Sequence, residues 1–166
     1  MPRMVIRDFR SDDGSALDHV AGRAFAEYSC HFENWPRYHE EWSRMSALAN
    51  LGRIAVAECD GEIVGGVCYI GPDGPRPEWF ENEWAIMRSL VVDPDHRNRG
   101  IGRKLAEACI ALAQTDNCGT LALQSAPIMT AAVHMYQNMG FMRTRALGAK
   151  DGVDWYLYCL HLTCET

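Results

Sequence analysis

A short basic and glycine-rich segment decides how this 166-residue chain folds: Arg97-Asn98-Arg99-Gly100-Ile101-Gly102. A strand-like run over residues 84–92 precedes this segment, and an amphipathic pattern over residues 101–114 predicts a helix that begins within it. The first amides of a helix have no partner inside the helix, and the helix N-terminus carries partial positive charge. Glycine lets an anion approach that backbone closely. The segment therefore predicts a binding site for a phosphate or pyrophosphate.

Basic side chains strengthen this prediction in a chain whose net charge is −6. The spacing excludes two common phosphate-binding loops, because a P-loop needs four residues between its first glycine and its Gly-Lys ending, whereas one residue separates Gly100 from Gly102. A dinucleotide-binding fingerprint would need glycine where Leu105 stands. The alternative interpretation is an ordinary turn before a solvated basic helix. The basic residues are Arg97, Arg99, Arg103 and Lys104.

Two further patterns stand on either side of this loop. Val91-Val92-Asp93-Pro94 precedes it, and a second pattern with the spacing Ala-x-x-x-Tyr-x-x-x-Gly-Phe follows it. Together with the loop's Arg-x-x-Gly-x-Gly spacing, they resemble the GNAT superfamily of acyl-CoA-dependent N-acetyltransferases. The resemblance covers residues 84–141 well and the N-terminal third poorly. The residues of the second pattern are Ala132, Tyr136, Gly140 and Phe141.

The resemblance implies that acetyl-CoA is the cosubstrate and that no metal ion takes part. In that superfamily, pantetheine inserts between two parallel strands that splay apart, and it pairs with their unpartnered backbone groups. A backbone amide near Leu90 or Val91 would stabilise the oxyanion of the reaction. The residues that would hold the cofactor are Leu90, Val91, Val92, Arg97, Asn98, Arg99, Gly100, Ile101, Gly102, Arg103 and Ala132.

Tyr136 is the predicted general acid, because it matches the superfamily tyrosine whose hydroxyl lies near the thioester sulfur. The alternative is a core tyrosine that packs beside Phe141. The glutamate that often serves the superfamily as general base corresponds to Ile86 here, so that base is absent. Glu83 is the candidate that remains, with Glu81 nearby, acting directly or through a water. Alternatively these are solvated charges, and the amine loses its proton to a chain of waters.

Aromatic and acidic residues predict where the acceptor binds. They occur between the first two predicted helices and in the loop over residues 71–82, and together they could form a cleft that favours a cationic amine. The alternative is that half of these aromatic residues belong to an ordinary core. The residues are Trp35, Tyr38, Trp42, Trp79, Phe80, Glu33, Glu40, Glu41 and Glu78.

Hydrophobic periodicity predicts the remaining secondary structure. Helical spacing from Leu17 to Tyr28 predicts the first helix, and Pro36 begins a second helix that runs to about Leu48. Asp60-Gly61 predicts the turn of a hairpin. The predicted strands span residues 3–9, 53–59, 62–70, 84–92, 120–124, 141–147 and 153–161, and the later helices span residues 101–114 and 130–139.

This order predicts a single α/β domain over residues 1–166. A mixed, mostly antiparallel central sheet would be flanked by helices. The strand–helix–strand unit over residues 84–124 would form one parallel strand pair. The GNAT resemblance implies that this pair is splayed.

Composition fits a globular domain and narrows the range of partners. Hydrophobic residues make up 48% of the chain, and the net charge of −6 disfavours nucleic-acid binding. No apolar run approaches the ~18 residues of a membrane span, and no signal-peptide pattern is seen. The sequence therefore predicts a cytoplasmic protein without a membrane partner.

The cysteines predict buried, reduced thiols rather than disulfides or a metal site. Seven cysteines occur singly, without a Cys-x-x-Cys pair, and most lie in apolar runs. Cys159, His161 and Cys164 come nearest to a metal-binding pattern, but a strand that ends in a polar tail explains them better. No metal ligands are therefore predicted.

These observations predict an N-acetyltransferase that moves an acetyl group from acetyl-CoA directly to a primary amine. No cysteine has a recognisable histidine partner, so no covalent acyl-enzyme is expected. The acceptor would be a small amine or a protein amine, and a homodimer is implied only by the habit of the superfamily. The alternative is a non-catalytic acyl-CoA-binding module with a degenerate active site.

Overall fold

A computed structural model describes residues 3–163 and contains a seven-stranded sheet with helices on both faces. The strand order is β1-β2-β3-β4-β5-β7-β6, and every neighbouring pair is antiparallel except β4 with β5. This confirms the predicted fold class. The strands are β1 Met4–Asp8, β2 Arg53–Cys59, β3 Glu62–Ile70, β4 Ala85–Val92, β5 Thr120–Ser125, β6 Met142–Lys150 and β7 Val153–His161.

The helices also follow the predicted order. They are α1 Gly14–Ala26, α2 Trp35–Trp42, α3 Ile101–Thr115 and α4 Thr130–Asn138. Short 3-10 turns over Ser11–Asp13, Ser29–His31, Met45–Asn50 and Pro94–His96 connect them to the sheet.

Two Asp-Gly turns set the register of the β2–β3 and β6–β7 hairpins. Asp60 and Gly61 join β2 to β3 with φ angles of 49° and 86°, and Asp151 and Gly152 join β6 to β7 with 49° and 84°. Two consecutive positive φ angles are the requirement of the tight hairpin turn that matches strand twist. Both hairpins therefore close where the sequence predicted them.

The parallel pair β4–β5 is joined over a very short length. Ala85 pairs with Leu121 and Ile86 pairs with Ala122, and no further pairing is seen between the two strands in the described chain. Beyond Ile86 the strands diverge, which confirms the predicted splay. The backbone groups of β4 that face β5 are therefore left without a ladder partner.

Helices cover the two faces of the sheet with separate apolar layers. On one face, Leu105 and Cys109 of α3 pack with Val67 of β3 and with Tyr136 of α4. On the other face, α1 packs a buried apolar stripe against the sheet. The α1 stripe is Leu17, Val20, Ala21 and Ala24.

An aromatic cluster joins α2 to the β6–β7 hairpin. Phe32 is 7% exposed and lies within 5.2 Å of Trp42, ring centre to ring centre. The Tyr38 hydroxyl donates to the Asp151 carboxylate, and the Glu33 amide donates to the Asp151 carbonyl at 3.0 Å. The connection between α1 and α2 is thereby fixed beside the far end of the sheet.

The predicted second helix is wrong in its length. It ends at Trp42, and a separate 3-10 segment follows from Met45 to Asn50. Ser46 donates through its amide and its hydroxyl to the Asp18 carboxylate of α1, at 2.7 and 2.8 Å. These contacts pull the chain toward α1, and the Ser43 hydroxyl bonds the His39 carbonyl at the helix end.

Candidate functional site

A cavity of about 620 Å³ passes through the gap between the splayed strands. On one face of the sheet it is lined by the start of α3 and by α4, and on the other by aromatic side chains around α1 and α2. Residues of β4 and β5 beyond their last paired positions form its waist. Its volume is in the range of pockets for small molecules and cofactors.

The glycine-rich loop forms one end of this cavity. Asn98 and Gly100 take positive φ angles of 62° and 77°, and the first hydrogen bond of α3 runs from the Lys104 amide to the Gly100 carbonyl at 3.1 Å. The amides of Ile101 and Gly102 precede that bond and have no partner inside the helix. Gly100, Ile101 and Gly102 all line the cavity, so amides without a helical partner lie at its edge, where an anion could bind.

Gly102 lies where β4 and α4 approach the helix start. A methyl group at this position would lie 3.5 Å from side-chain atoms of Leu90, Val92 and Met135, which is ordinary van der Waals contact. An alanine therefore fits here, whereas a longer side chain would have to enter the cavity.

Ion pairs tie the loop to the end of α1. The Arg97 guanidinium pairs with the Glu27 carboxylate and donates weakly to the Ala24 carbonyl at 3.4 Å. In the opposite direction, Arg23 of α1 pairs with Asp93 at 2.8 Å and with Asp95 at 3.1 Å. The loop and α1 are thus held together by reciprocal charges.

All but one of the predicted cofactor residues line the cavity. Arg99 is exposed and does not line the cavity, and Arg103 pairs with Glu107 on α3 at 3.2 Å. The other members of the predicted set all line it: Leu90, Val91, Val92, Arg97, Asn98, Gly100, Ile101, Gly102, Arg103 and Ala132.

A β-bulge shapes the waist of the cavity. Gly66 pairs with Val91 and Cys68 pairs with Arg88, so one residue of β3 faces both Ser89 and Leu90 of β4. Ser89 has φ 57°, an uncommon backbone conformation for a residue other than glycine. The bulge bends β4 at the point where it separates from β5.

Tyr136 lines the cavity from α4. Its side chain is 6% exposed, and its ring lies 5.6 Å from that of Phe141. Burial raises the pKa of the Tyr136 hydroxyl, with smaller contributions from the neighbouring Cys109 and Tyr28. The hydroxyl is therefore a proton donor at neutral pH. Tyr136 therefore packs in the core beside Phe141 and also lines the cavity.

Glu83 is not brought to the cavity. It is exposed in the turn before β4 and is absent from the cavity wall, as is Glu81. The two strands are still paired at Ile86, so Glu83, in the turn that precedes β4, lies beyond the closed end of the pair. The structure therefore removes the geometric basis for Glu83 as general base.

The end of the cavity away from the glycine-rich loop is aromatic, and the carboxylates of the predicted acidic cleft do not line it, so that cleft is wrong. Trp42 and two other predicted aromatics line it, whereas Trp35 and Tyr38 belong to the aromatic cluster beside it. The predicted carboxylates, Glu33, Glu40, Glu41 and Glu78, are exposed outside the cavity wall. Phe25, Tyr28, Arg88 and Trp155 line it in addition to Trp42, Trp79 and Phe80.

Sequence reasoning missed several of these residues. Phe25 and Tyr28 carry the helical spacing of α1, which assigned them to its core face. Trp155 lies on β7, far along the chain from the motif, and Arg88 interrupts an apolar strand pattern. That interruption was the one available signal, because a charge within a buried strand usually has a function or a partner.

The thiols do not contribute to the site. None of the cysteines described in residues 3–163 lines the cavity. Burial raises the pKa of Cys68 to about 11 and the pKa of Cys109 to about 12. In the same part of the chain, no three histidine, cysteine or acidic side chains come together as metal ligands. Cys164 lies outside the described residues.

The segment that carries the site matches a known family. The sequence profile of the Acetyltransferase (GNAT) family matches residues 18–141. A probable N-acetyltransferase named camello from Xenopus tropicalis is 31% identical over 90 residues, which cover 54% of this chain and 38% of that protein. A mycothiol acetyltransferase from Cellulomonas flavigena is 29% identical over 156 residues, which cover 86% of this chain and 42% of that protein. The chain thus spans less than half the length of these curated relatives.

Solved structures share the whole fold at low sequence identity. An N-acetyltransferase from Staphylococcus aureus Mu50 superposes with a TM-score of 0.74 at 20% identity, covering 97% of this chain and 99% of that one. The putative acetyltransferase yncA from Salmonella typhimurium, solved with its cofactor acetyl-CoA, superposes with a TM-score of 0.71 at 20% identity, covering 96% and 94%. No helix in residues 3–163 has the length and apolar character needed to cross a membrane.

Proposed function

The chain belongs to the Acetyltransferase (GNAT) family, and we propose that it is an N-acetyltransferase that transfers an acetyl group from acetyl-CoA directly to a primary amine. One observation carries the proposal: a single cavity joins the glycine-rich loop, the Tyr136 hydroxyl and an aromatic chamber through the splayed strands. Such a passage lets a long cosubstrate enter from one face and an acceptor from the other.

The cosubstrate would bind along the loop and the waist. Its pyrophosphate would accept hydrogen bonds from the amides at the start of α3, where the helix dipole favours negative charge. Its pantetheine amides would pair with the β4 backbone between Leu90 and Val92, beside Ala132 of α4. This placement brings the thioester to the bulge at Ser89.

Transfer then needs one new bond and one broken bond. The neutral amine attacks the thioester carbonyl, an oxyanion forms, and the C–S bond breaks as the amide forms. The oxyanion would be stabilised by backbone amides near Leu90 and Val91. The Tyr136 hydroxyl would give its proton to the departing thiolate and regain one from solvent, and the attacking nitrogen would release one proton to solvent as the amide forms.

The amine would lose its proton without a protein carboxylate. Glu27 is the one carboxylate among the described residues of the cavity wall, and it is paired with Arg97. We therefore place the deprotonation on solvent within the cavity rather than on a glutamate base. Only the fraction of acceptor molecules whose amine is already neutral would attack.

Direct transfer is favoured over an acyl-enzyme. A covalent intermediate needs an activated nucleophile in the cavity; no described cysteine lies there, and neither Ser89 nor Ser125 of the cavity wall bonds a histidine among the described residues. The test is release of CoA from acetyl-CoA over a panel of primary amines, with each product identified by mass. Tight CoA binding without turnover on any amine would instead favour a non-catalytic acyl-CoA-binding module.

A further inference from the structure

The charged side chains of the cavity are paired, with one exception. Glu27 and Arg97 neutralise each other, and Arg103 has Glu107 at 3.2 Å. Arg88 also lines the cavity, but no carboxylate of residues 3–163 lies within 4.0 Å of its guanidinium. Within residues 3–163, Arg88 is therefore the one cation of the cavity wall without a protein counterion.

The strand places Arg88 on the acceptor side of the sheet. Side chains alternate along β4: Met87 belongs to the layer that contains α3 and α4, and Ile86 belongs to the layer that contains α1. Arg88 follows in the α1 direction, opposite Cys68, which is in that same layer. It stands immediately before Ser89, where the bulge begins.

Arg88 itself is exposed, and the wall of the cavity beside it on the acceptor side is largely aromatic. Indole and phenyl rings form most of its wall on the acceptor side, contributed by Phe25, Trp42, Trp79, Phe80 and Trp155. The guanidinium of an arginine presents a planar fork of donors that matches a carboxylate. The combination of an unpaired guanidinium and aromatic rings is complementary to a molecule with one anionic end and an apolar body.

We propose that the acceptor carries a carboxylate within a few bonds of its amine, which Arg88 binds, and an apolar body, which packs among the aromatic rings. An amino acid with an apolar side chain is the simplest molecule of this class. The proposal rests on the proposed function, because it assigns the amine to the thioester end of the same cavity. It also reverses the expectation of a cationic acceptor. A polyamine would lie beside the positive charge of Arg88 and would find no unpaired carboxylate among the described residues of the cavity wall.

The kinetic test compares three acceptors that differ in one group: L-phenylalanine, L-phenylalaninamide and 2-phenylethylamine. Rates are expressed per neutral amine, because the amino groups of these compounds ionise at different pH. The expected kcat/KM is at least about 10-fold higher for the amino acid than for the two compounds without a carboxylate. Arg88→Gln should remove this preference by lowering kcat/KM for the amino acid toward the value for its amide. Arg88→Lys should restore part of it, because it keeps the charge but not the fork.

A matched variant controls for the loss of a positive charge. Arg37 is exposed on α2 and does not line the cavity, so Arg37→Gln should preserve the preference for the carboxylate. Equal use of the amino acid and its amide by the unaltered protein, or an unchanged preference in Arg88→Gln, would overturn the proposal.

A binding measurement separates this proposal from the catalytic one. Calorimetry with CoA present compares N-acetyl-L-phenylalanine with N-acetyl-L-phenylalaninamide. The carboxylate should bind at least about 10-fold more tightly, and Arg88→Gln should abolish the difference. Carboxylate-dependent binding without turnover would refute the transferase and keep the Arg88 site. Turnover of amines with no carboxylate dependence in either assay would refute the Arg88 site and keep the transferase.

Discussion

Arg97, which opens the glycine-rich loop, forms an ion pair with Glu27, the residue that follows the last turn of α1. The motif arginine is therefore directed toward a neighbouring helix. Together with the reverse pairing of Arg23 with Asp93, it fixes the loop relative to α1. The position of the unpaired amides at the start of α3 depends on contacts outside the motif itself.

Removal of this ion pair should affect cofactor binding more than stability. Glu27→Gln is expected to weaken CoA binding by about 3- to 10-fold, because the loop loses its anchor, and to change the free energy of unfolding by less than about 1 kcal/mol, because the pair is partly exposed. Calorimetry and thermal unfolding measure the two effects. Glu40→Gln breaks a comparable exposed pair with Arg44 and should leave CoA binding unchanged. Unaltered or tighter CoA binding in Glu27→Gln would contradict the anchoring role.

Two substitutions of Gly102 should differ sharply in their effect on CoA binding. Gly102→Ala adds a methyl group at ordinary contact distance and is expected to retain CoA binding within about 3-fold. Gly102→Glu places a carboxylate at the helix N-terminus, in the space proposed for the pyrophosphate, and should abolish binding. Both variants are compared by calorimetry after their melting temperatures have been checked. Retained affinity in a folded Gly102→Glu protein would exclude the loop as the phosphate site.

Tyr136→Phe should lower kcat with little effect on CoA affinity. The ring and its contact with Phe141 remain, and loss of the hydroxyl is expected to reduce kcat by about 10- to 1000-fold, since thiolates leave well even without a proton donor. Because burial raises the pKa of Tyr136, the hydroxyl keeps its proton above its usual range. The kcat of the unaltered protein should therefore not fall as pH rises from 8 to about 10. Full kcat in Tyr136→Phe, with an unchanged melting temperature, would return Tyr136 to a purely structural role.

Among the described residues, the cavity wall holds no carboxylate that is free of an ion pair, and this predicts how the rate depends on pH. With any accepted amine, kcat/KM should rise about tenfold per pH unit until it reaches the pKa of that amine, and then level off. An acceptor whose amine has a lower pKa should level off correspondingly earlier. A plateau that begins below about pH 7 for every amine would reveal a protein base and contradict solvent deprotonation.

Local signals accounted for most of the fold. Asp60-Gly61 fixed a hairpin because both positions need positive φ, and Gly100 marked the start of α3 for the same reason. The parallel pair followed from one strand–helix–strand unit, since a helical crossover of this length usually joins parallel strands. These features depend on residues close together in the chain, where periodicity and turn chemistry are informative.

Long-range contacts account for what the sequence left undetermined. The second helix stops early because Asp18, on a different element, binds the amide and hydroxyl of Ser46. Trp155 reaches the acceptor chamber only because the β6–β7 hairpin packs on α2. Glu83 is close to the expected base in sequence, yet the paired strand ends at Ile86 separate it from the opening. Each of these outcomes depends on three-dimensional packing that no local pattern encodes.

The most direct measurement of the central claim is the stoichiometry of transfer. The unaltered protein is incubated with acetyl-CoA and each amine of the panel, and free CoA and N-acetylated amine are quantified in the same sample. Direct transfer at this cavity predicts equal molar amounts of the two products, and neither above background with folded Gly102→Glu. Release of CoA without acetylated amine, or the same yield from Gly102→Glu, would contradict an N-acetyltransferase that works through this site.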